Sequence, residues 1–150
     1  MAHFNYDPAV IGRVFEDTEP VVVSAEQIRE YCAALGEEDP LYLDEEAARR
    51  GPFGSLSAPP SYVLILRTGK DFLGHIPRLA NNMMDAGRDL ELLEPVRAGD
   101  QLRLVSQIKA IYEKTGRSGP MAFVIVRSTV LNQNQQVVAH IDHHFIQRNR

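Results

Sequence analysis

Ser57-Ala-Pro-Pro-Ser-Tyr-Val-Leu-Ile-Leu-Arg-Thr-Gly-Lys-Asp-Phe72 opens with two prolines and carries no charge until Arg67. Prolines suit a first helical turn, where the missing N–H groups have no intrahelical partner to lose. The run Tyr62-Val-Leu-Ile-Leu66 offers no polar face, which predicts a helix buried on nearly all sides. Downstream of Asn82 the pattern becomes that of strands. From Leu102 onward, Leu102, Leu104, Ile108, Ala110 and Tyr112 fall on one face, and Arg103, Gln107, Lys109 and Glu113 on the other. Thr115–Pro120 reads as a turn, and two more strands, Ala122–Leu131 and Val137–Gln147, flank the polar loop Asn132–Gln136. One long central helix with a curved antiparallel sheet wrapped around it is the expected architecture, α+β in class.

Ahead of that stretch, Pro20-Val-Val-Val23 is a β-branched run suited to a strand. Ser24 followed by Gln27 forms a capping-box pattern for a helix. In that helix Ile28, Tyr31, Cys32 and Leu35 make one apolar stripe, and Gly36 stops it. Glu37–Tyr42 reads as a turn because Asp39 precedes a proline. Leu43–Arg50 predicts a brief helix, with acidic residues in its first turn and Arg49 and Arg50 in its last. Gly51-Pro-Phe-Gly54 is a second loop, and Ala9–Asp17 carries no decisive pattern.

A chain of 150 residues with 44% hydrophobic and 24% charged residues is expected to form one globular domain spanning 1–150. A net charge of −4 gives no reason to expect a nucleic-acid or anionic-membrane partner. No apolar run approaches the roughly 18 residues of a membrane helix, and Met1–Asp7 lacks a signal-peptide core. The single Cys32 excludes an intrachain disulfide, so a cytoplasmic location is expected, and its place on the apolar stripe makes it a core residue before a nucleophile.

Nucleophile-elbow, P-loop, dinucleotide-binding and Cys-x-x-Cys motifs are absent. His140-Ile-Asp-His-His144 is the densest histidine region. On a strand it places His140, Asp142 and His144 on one side and His143 on the other. With no fourth ligand in view, a solvated or interface strand is the expectation, with no metal and no cofactor.

The loops around the two early helices are more informative. Gly36-Glu-Glu-Asp-Pro-Leu-Tyr-Leu-Asp-Glu-Glu-Ala47, Gly51-Pro-Phe-Gly54, Ser57-Ala-Pro-Pro60 and Leu93-Glu-Pro-Val-Arg-Ala-Gly-Asp100 together resemble the MaoC-like hydratases and dehydratases. These are hot-dog-fold proteins that add or remove water across the 2,3-bond of acyl thioesters, and the resemblance covers roughly Glu26 to Gln147. It implies catalytic positions at Glu37 and Tyr42. It also implies substrate-contacting positions at Asp39, Phe53, Gly54, Ser57, Ala58 and Pro60.

Three of those positions depart from the family motif. Glu37 stands where the family has its catalytic Asp, Tyr42 where it has its His, and Pro60 where it has the Gly whose N–H polarises the thioester carbonyl. A tyrosine, with an ordinary pKa of about 10, is poorly matched to acid–base work near neutrality. A proline has no N–H to place in an oxyanion hole, where one donor is worth about 3 kcal/mol. The pattern resembles the N-terminal-type half of MaoC-like dehydratases, in which one hot-dog unit carries the catalytic pair and the other shapes the acyl tunnel.

The implied function is the substrate-binding half of an (R)-3-hydroxyacyl-thioester dehydratase or enoyl-thioester hydratase of acyl-CoA or fatty-acyl metabolism. Its substrate would be a thioester of CoA or of an acyl-carrier protein, with Arg67, Lys114 and Arg117 as candidates for the phosphates of that arm. It would work as a homodimer, or as a heterodimer with a catalytic MaoC-like subunit. The rivals are a self-sufficient hydratase using Glu37 and Tyr42, a non-enzymatic acyl-thioester-binding protein, and a thioesterase, for which no motif is present.

Overall fold

The computed structural model describes residues 2–16, 19–66 and 71–149. Six strands, β1 (Val14–Glu16), β2 (Val21–Val22), β3 (Asn82–Leu92), β4 (Gln101–Gly116), β5 (Gly119–Leu131) and β6 (Val137–Arg148), form a curved antiparallel sheet. The order across it is β1-β4-β5-β6-β3, with β2 also pairing with β4. The helices are α1 (Ala25–Leu35), α2 (Pro40–Leu43) and α3 (Glu45–Arg50). The expected capping box is present, with Ser24 and Gln27 bonding each other's backbone N–H, and Gly36 ends α1 at φ 70° in the left-handed region. Glu37–Tyr42 is not wholly a turn. Asp39 accepts from Leu41 N at 2.9 Å and Pro40 sits at the first helical position, so α2 makes one turn before α3 begins.

The central stretch departs from expectation. Its described part is a 3-10 turn, Pro60–Ile65, with no longer helix, and a second 3-10 turn spans Phe72–His75. Arg67, Thr68, Gly69 and Lys70 lie outside the described residues. Upstream, Leu56–Ala58 is extended and pairs with the Val96–Ala98 segment, Ala58 N donating to Val96 O at 2.8 Å and Ala98 N to Leu56 O at 2.9 Å. The prolines start a helical turn as expected. The run beyond them holds the β-branched Val63 and Ile65 and an aromatic, which favour an α-helix only weakly. Burial is also one-sided. Tyr62 and Val63 are buried, Leu64 and Leu66 partly so, and Ile65 is 54% exposed. The core is closed instead by α1: Ile28 and Cys32 pack with Tyr62, Val63, Leu102, Val130 and Val138, and Tyr31 Oη bonds Ser61 Oγ at 2.7 Å.

The face assignment of β4 also needs correction. Its register against β5 shifts between Ile108 and Ala110, leaving Lys109 as the extra residue of a bulge. One inserted residue exchanges the two faces. Hence Ile111 is buried and Tyr112 is 37% exposed, where strict alternation predicts the reverse.

On β6, Ile141, His143 and Phe145 point into the core, while His140, Asp142 and His144 face outward. Among the described residues no cluster able to hold a metal is found. The outward groups have protein partners: His140 Nδ1 with Thr129 Oγ1 at 3.2 Å, and His144 Nε2 with Asp89 Oδ2 at 2.9 Å. Asp142 accepts from Arg127 at 2.7 and 3.0 Å and from Lys109 at 2.6 Å. The Arg127 guanidinium, helped by Lys109 against partial burial, holds the Asp142 carboxyl at about 2, below its ordinary 3.8. A depressed carboxyl contributes stability above its unfolded value and loses it as pH falls through the folded one. Stability is therefore expected to drop as acid takes the chain from 3.8 toward about 2, and Asp142→Asn should flatten that part of the profile. The variant should also cost about 2 kcal/mol at neutral pH. Acid unfolding curves of the two proteins that superimpose would show the triad to be inert.

Candidate functional site

Glu37 follows the αL residue that ends α1. Its half-buried carboxylate turns back on its own loop, Oε1 accepting from Glu38 N at 2.9 Å and Asp39 N at 3.0 Å. Asp39 is likewise committed as the N-cap of α2. The structure therefore finds both acids bracing the loop that carries Tyr42. Tyr42 is half-buried, and its hydroxyl has no hydrogen-bond partner among the described residues. Burial pushes its pKa up, and the nearby Asp39 and Glu37 carboxylates push the same way. A phenol raised above 10 is a poor proton carrier at neutral pH. Cys32, fully buried beneath this loop, has its thiol pushed up by burial and by Glu37, which leaves it inert.

Tyr42 shares a groove of about 200 Å³ with Phe53, Ala58, Pro60, Leu93 and Pro95. Four of the residues picked out by motif thus meet in space, although three separate segments carry them: α2, the loop at Phe53 and the stretch Ala58–Pro60. Ser57 is fully buried, donating from Oγ to Ser55 O at 3.1 Å, and serves the extended segment that sets Ala58 in the groove. Gly54 is exposed at φ 70°, a left-handed position that lets the loop turn beside Phe53. Lys114 lies 5.5 Å over the Tyr112 ring and 5.4 Å over Phe123, and Arg117 is exposed in the β4–β5 turn.

A second cavity, of about 420 Å³, lies farther along the same segment, between the sheet and the residues that follow Pro60. Its walls include Leu64, Leu66, Phe72, Leu104, Ile141 and Phe145. Three groups at its β3 side are polar: Asp85, Arg88 and His143. Asp85 Oδ2 meets His143 Nε2 at 2.8 Å, and Asp85 Oδ1 accepts from Gly87 N at 2.9 Å, pinning a bulge in β3. The Gly87 N–H, followed by His143, draws the Asp85 carboxyl below its ordinary value. Burial lowers the His143 pKa more than Asp85 raises it, so the ring is neutral at pH 7 and donates to an ionised carboxylate. Motif matching passes over these residues. The signal for His143 is its inward place in the alternation of β6, and nothing local points to Asp85.

The edge strand β3 is exposed along most of its length. It presents Met83 and Met84, 37% and 41% exposed, and among the described residues no strand pairs with its outer side.

Comparison with known proteins places these features in a family. The family model described as FAS1-like, dehydratase domain region, matches residues 9–141. A UPF0336 protein of Streptomyces avermitilis is 31% identical over 114 residues, covering 73% of this chain and 76% of that protein. The MaoC-like dehydratase from Rhodospirillum rubrum is 28% identical, superimposes with a TM-score of 0.69, and is covered over 93% of both chains. A chain of the HadBC (3R-hydroxyacyl-ACP dehydratase) complex from Mycobacterium tuberculosis is 24% identical, with a TM-score of 0.77 over 91% of this chain and 96% of that one, and shares the fold.

Proposed function

The chain belongs to the FAS1-like dehydratase-region family, and on that premise we propose that it is the acyl-binding half of a two-part hot-dog dehydratase or hydratase. In this reading it receives a 3-hydroxyacyl or enoyl thioester of CoA or a carrier protein, and a catalytic MaoC-like subunit supplies the acid–base pair. The observation that carries the reading is the cavity of about 420 Å³ held open behind a short 3-10 turn. The groove at Tyr42 and Pro60 is where the thioester would rest, and the chain would run along Pro60–Leu66 into the apolar space. Glu37 and Asp39 brace the loop, and Pro60 has no N–H to offer the carbonyl, so the chemistry is assigned to the partner.

The free edge of β3 supports the pairing. A strand of 11 residues that among the described residues is paired only with β6 presents open N–H and C=O groups along its outer edge, and joining that edge to a second hot-dog sheet would satisfy them. The HadBC relative is itself a complex of two chains. No helix among the described residues is long and apolar enough to cross a membrane. We place the protein in the cytoplasm as one domain over 1–150, and its work in acyl-chain metabolism.

Native mass spectrometry of the protein isolated from its own host tests the reading. The expected species is a dimer containing this chain of 16.8 kDa and a second hot-dog chain. A monomer at micromolar concentration that binds no medium-chain acyl-pantetheine would overturn it.

A further inference from the structure

We infer that the outer face of the sheet, at the end nearest the β4–β5 turn, is a docking surface for an amphipathic helix of another protein. The helix carries acidic side chains along one flank of its apolar stripe.

An antiparallel sheet with its core on one side ordinarily shows polar residues to water on the other. Here the strand registers build something else. Ala122 and Val124 of β5, and Phe145 and Gln147 of β6, are buried against the core, so Phe123, Ile125 and Ile146 point outward. Beyond the bulge at Lys109, Tyr112 faces the same way. Tyr112 pairs with Phe123, Phe123 with Ile146, and Ile146 with Met84. Residues directly opposite in a sheet share a face, so the outer side carries one apolar row across four strands. Ile125 widens it along β5. Tyr112 and Met84, at the two ends of the row, are 37% and 41% exposed, and Phe123 and Ile146 between them are half-buried. Contiguous apolar surface with a polar rim marks an interaction site.

The rim gives the charge of the partner. The next outward positions along the strands are Lys114 on β4 and Arg148 on β6. Lys114 Nζ stands 5.5 Å over the Tyr112 ring and 5.4 Å over that of Phe123, two rings stacked at 5.0 Å between centroids. That contact holds the ammonium at the border of the row. Arg148 donates to Ser118 Oγ at 3.2 Å, and Arg117 adds a third cation in the adjoining turn. Glu113 does not offset them, because it faces the other side and accepts from His3 N at 2.9 Å and Phe4 N at 3.1 Å. A chain of net charge −4 thus presents a cationic rim beside an apolar row.

Backbone hydrogen bonding and length select a helix. The main-chain groups of β4, β5 and β6 are spent on one another beneath the row, so no strand can add there. Three strand spacings make the row roughly 14 Å long. About three turns of helix cover that distance, and a helix about 10 Å wide would rest one flank against Lys114 and Arg148. A second copy of this chain is a poorer match. The carboxylates nearest the row on its own outer face are Asp142, held by Arg127 and Lys109, and Asp89, bonded to His144. An anionic bilayer would meet the negative charge of the whole chain, whereas a docked helix meets the rim at contact range.

The test titrates the purified protein with synthetic helical peptides bearing a leucine stripe flanked by glutamate in one and by lysine in the other. Anisotropy gives affinity, and amide shifts locate the contact. The glutamate peptide is expected to bind about tenfold tighter, since two exposed attractions replace two repulsions. Shifts should centre on Tyr112, Phe123, Ile146 and Met84. Lys114→Glu, at an exposed position, should invert the preference at unchanged Tm, and Phe123→Thr should weaken both peptides. If neither peptide binds, or if Lys114→Glu leaves the preference as it was, the proposal is wrong. Two further results would overturn it. Flotation with phosphatidylcholine–phosphatidylserine vesicles that Phe123→Thr abolishes would put a membrane in place of the helix. Self-association in sedimentation equilibrium that the same variant abolishes would put a second copy there.

Discussion

Purified alone, the protein is expected to hydrate a short enoyl-CoA at a rate close to background, and Glu37→Ala should leave that rate unchanged. Positioned acid–base groups contribute about 10²- to 10⁴-fold, and one oxyanion-hole donor about 10²- to 10³-fold. The chain departs from the family motif in both. Tyr42 carries a phenol pushed further from neutrality by burial and by the acids around it, and Glu37 spends its carboxylate on the N–H groups of its own loop. Replacing Glu37→Asp and Tyr42→His together should restore little while Pro60 borders the groove. Adding Pro60→Gly should raise the rate by more than the separate changes multiply to, since groups that act on one transition state are non-additive. Steady-state turnover of the wild type, Glu37→Ala, the pair, Pro60→Gly alone and the triple variant decides the matter. Vigorous wild-type activity that disappears in Glu37→Ala would make this chain the catalyst. So would full activity with a partner stripped of its own Asp and His.

Gln147→Leu is expected to be the most damaging neutral substitution in the sheet. Gln147 is completely buried near the end of β6 and holds the segment that follows the Phe72–His75 turn. Its Oε1 accepts from Leu79 N at 2.8 Å and Ala80 N at 3.3 Å, and its Nε2 donates to Pro77 O at 2.8 Å. Leucine fits the volume and strands all three backbone groups, at about 1–3 kcal/mol each where water cannot reach. A total of about 4 kcal/mol should lower Tm by roughly 10 °C in a domain of this size. Because residues 77–80 continue from a wall of the cavity, acyl-pantetheine affinity should fall along with Tm. As a control, Arg117→Leu in the exposed β4–β5 turn should shift Tm by no more than about 2 °C. Calorimetry that finds Gln147→Leu and the control alike would mean that the 77–80 segment is held by something else.

How far the sequence reaches depends on how local the deciding physics is. The capping box at Ser24, the left-handed stop at Gly36 and the alternation of His140, Asp142 and His144 against His143 on β6 are set within a few residues, and each stands in the structure where the sequence puts it. The motif order along the chain points to the hot-dog fold and to the dehydratase family to which the chain belongs. At the central stretch, apolarity reports only that residues seek burial. It cannot say on how many sides, and α1 already occupies the core that a long helix would need, so Pro60–Ile65 settles as a short turn with Ile65 exposed. The bulge at Lys109 was equally invisible, since one extra residue is specified by the register of β5 and not by β4 itself. The sequence motif picks out Tyr42, Phe53, Ala58 and Pro60, but only the fold brings their segments to one groove. Asp85 and His143, 58 positions apart, become a pair solely because β3 and β6 are neighbours. Contacts of that kind are the work of chain topology, which no local pattern of residues encodes.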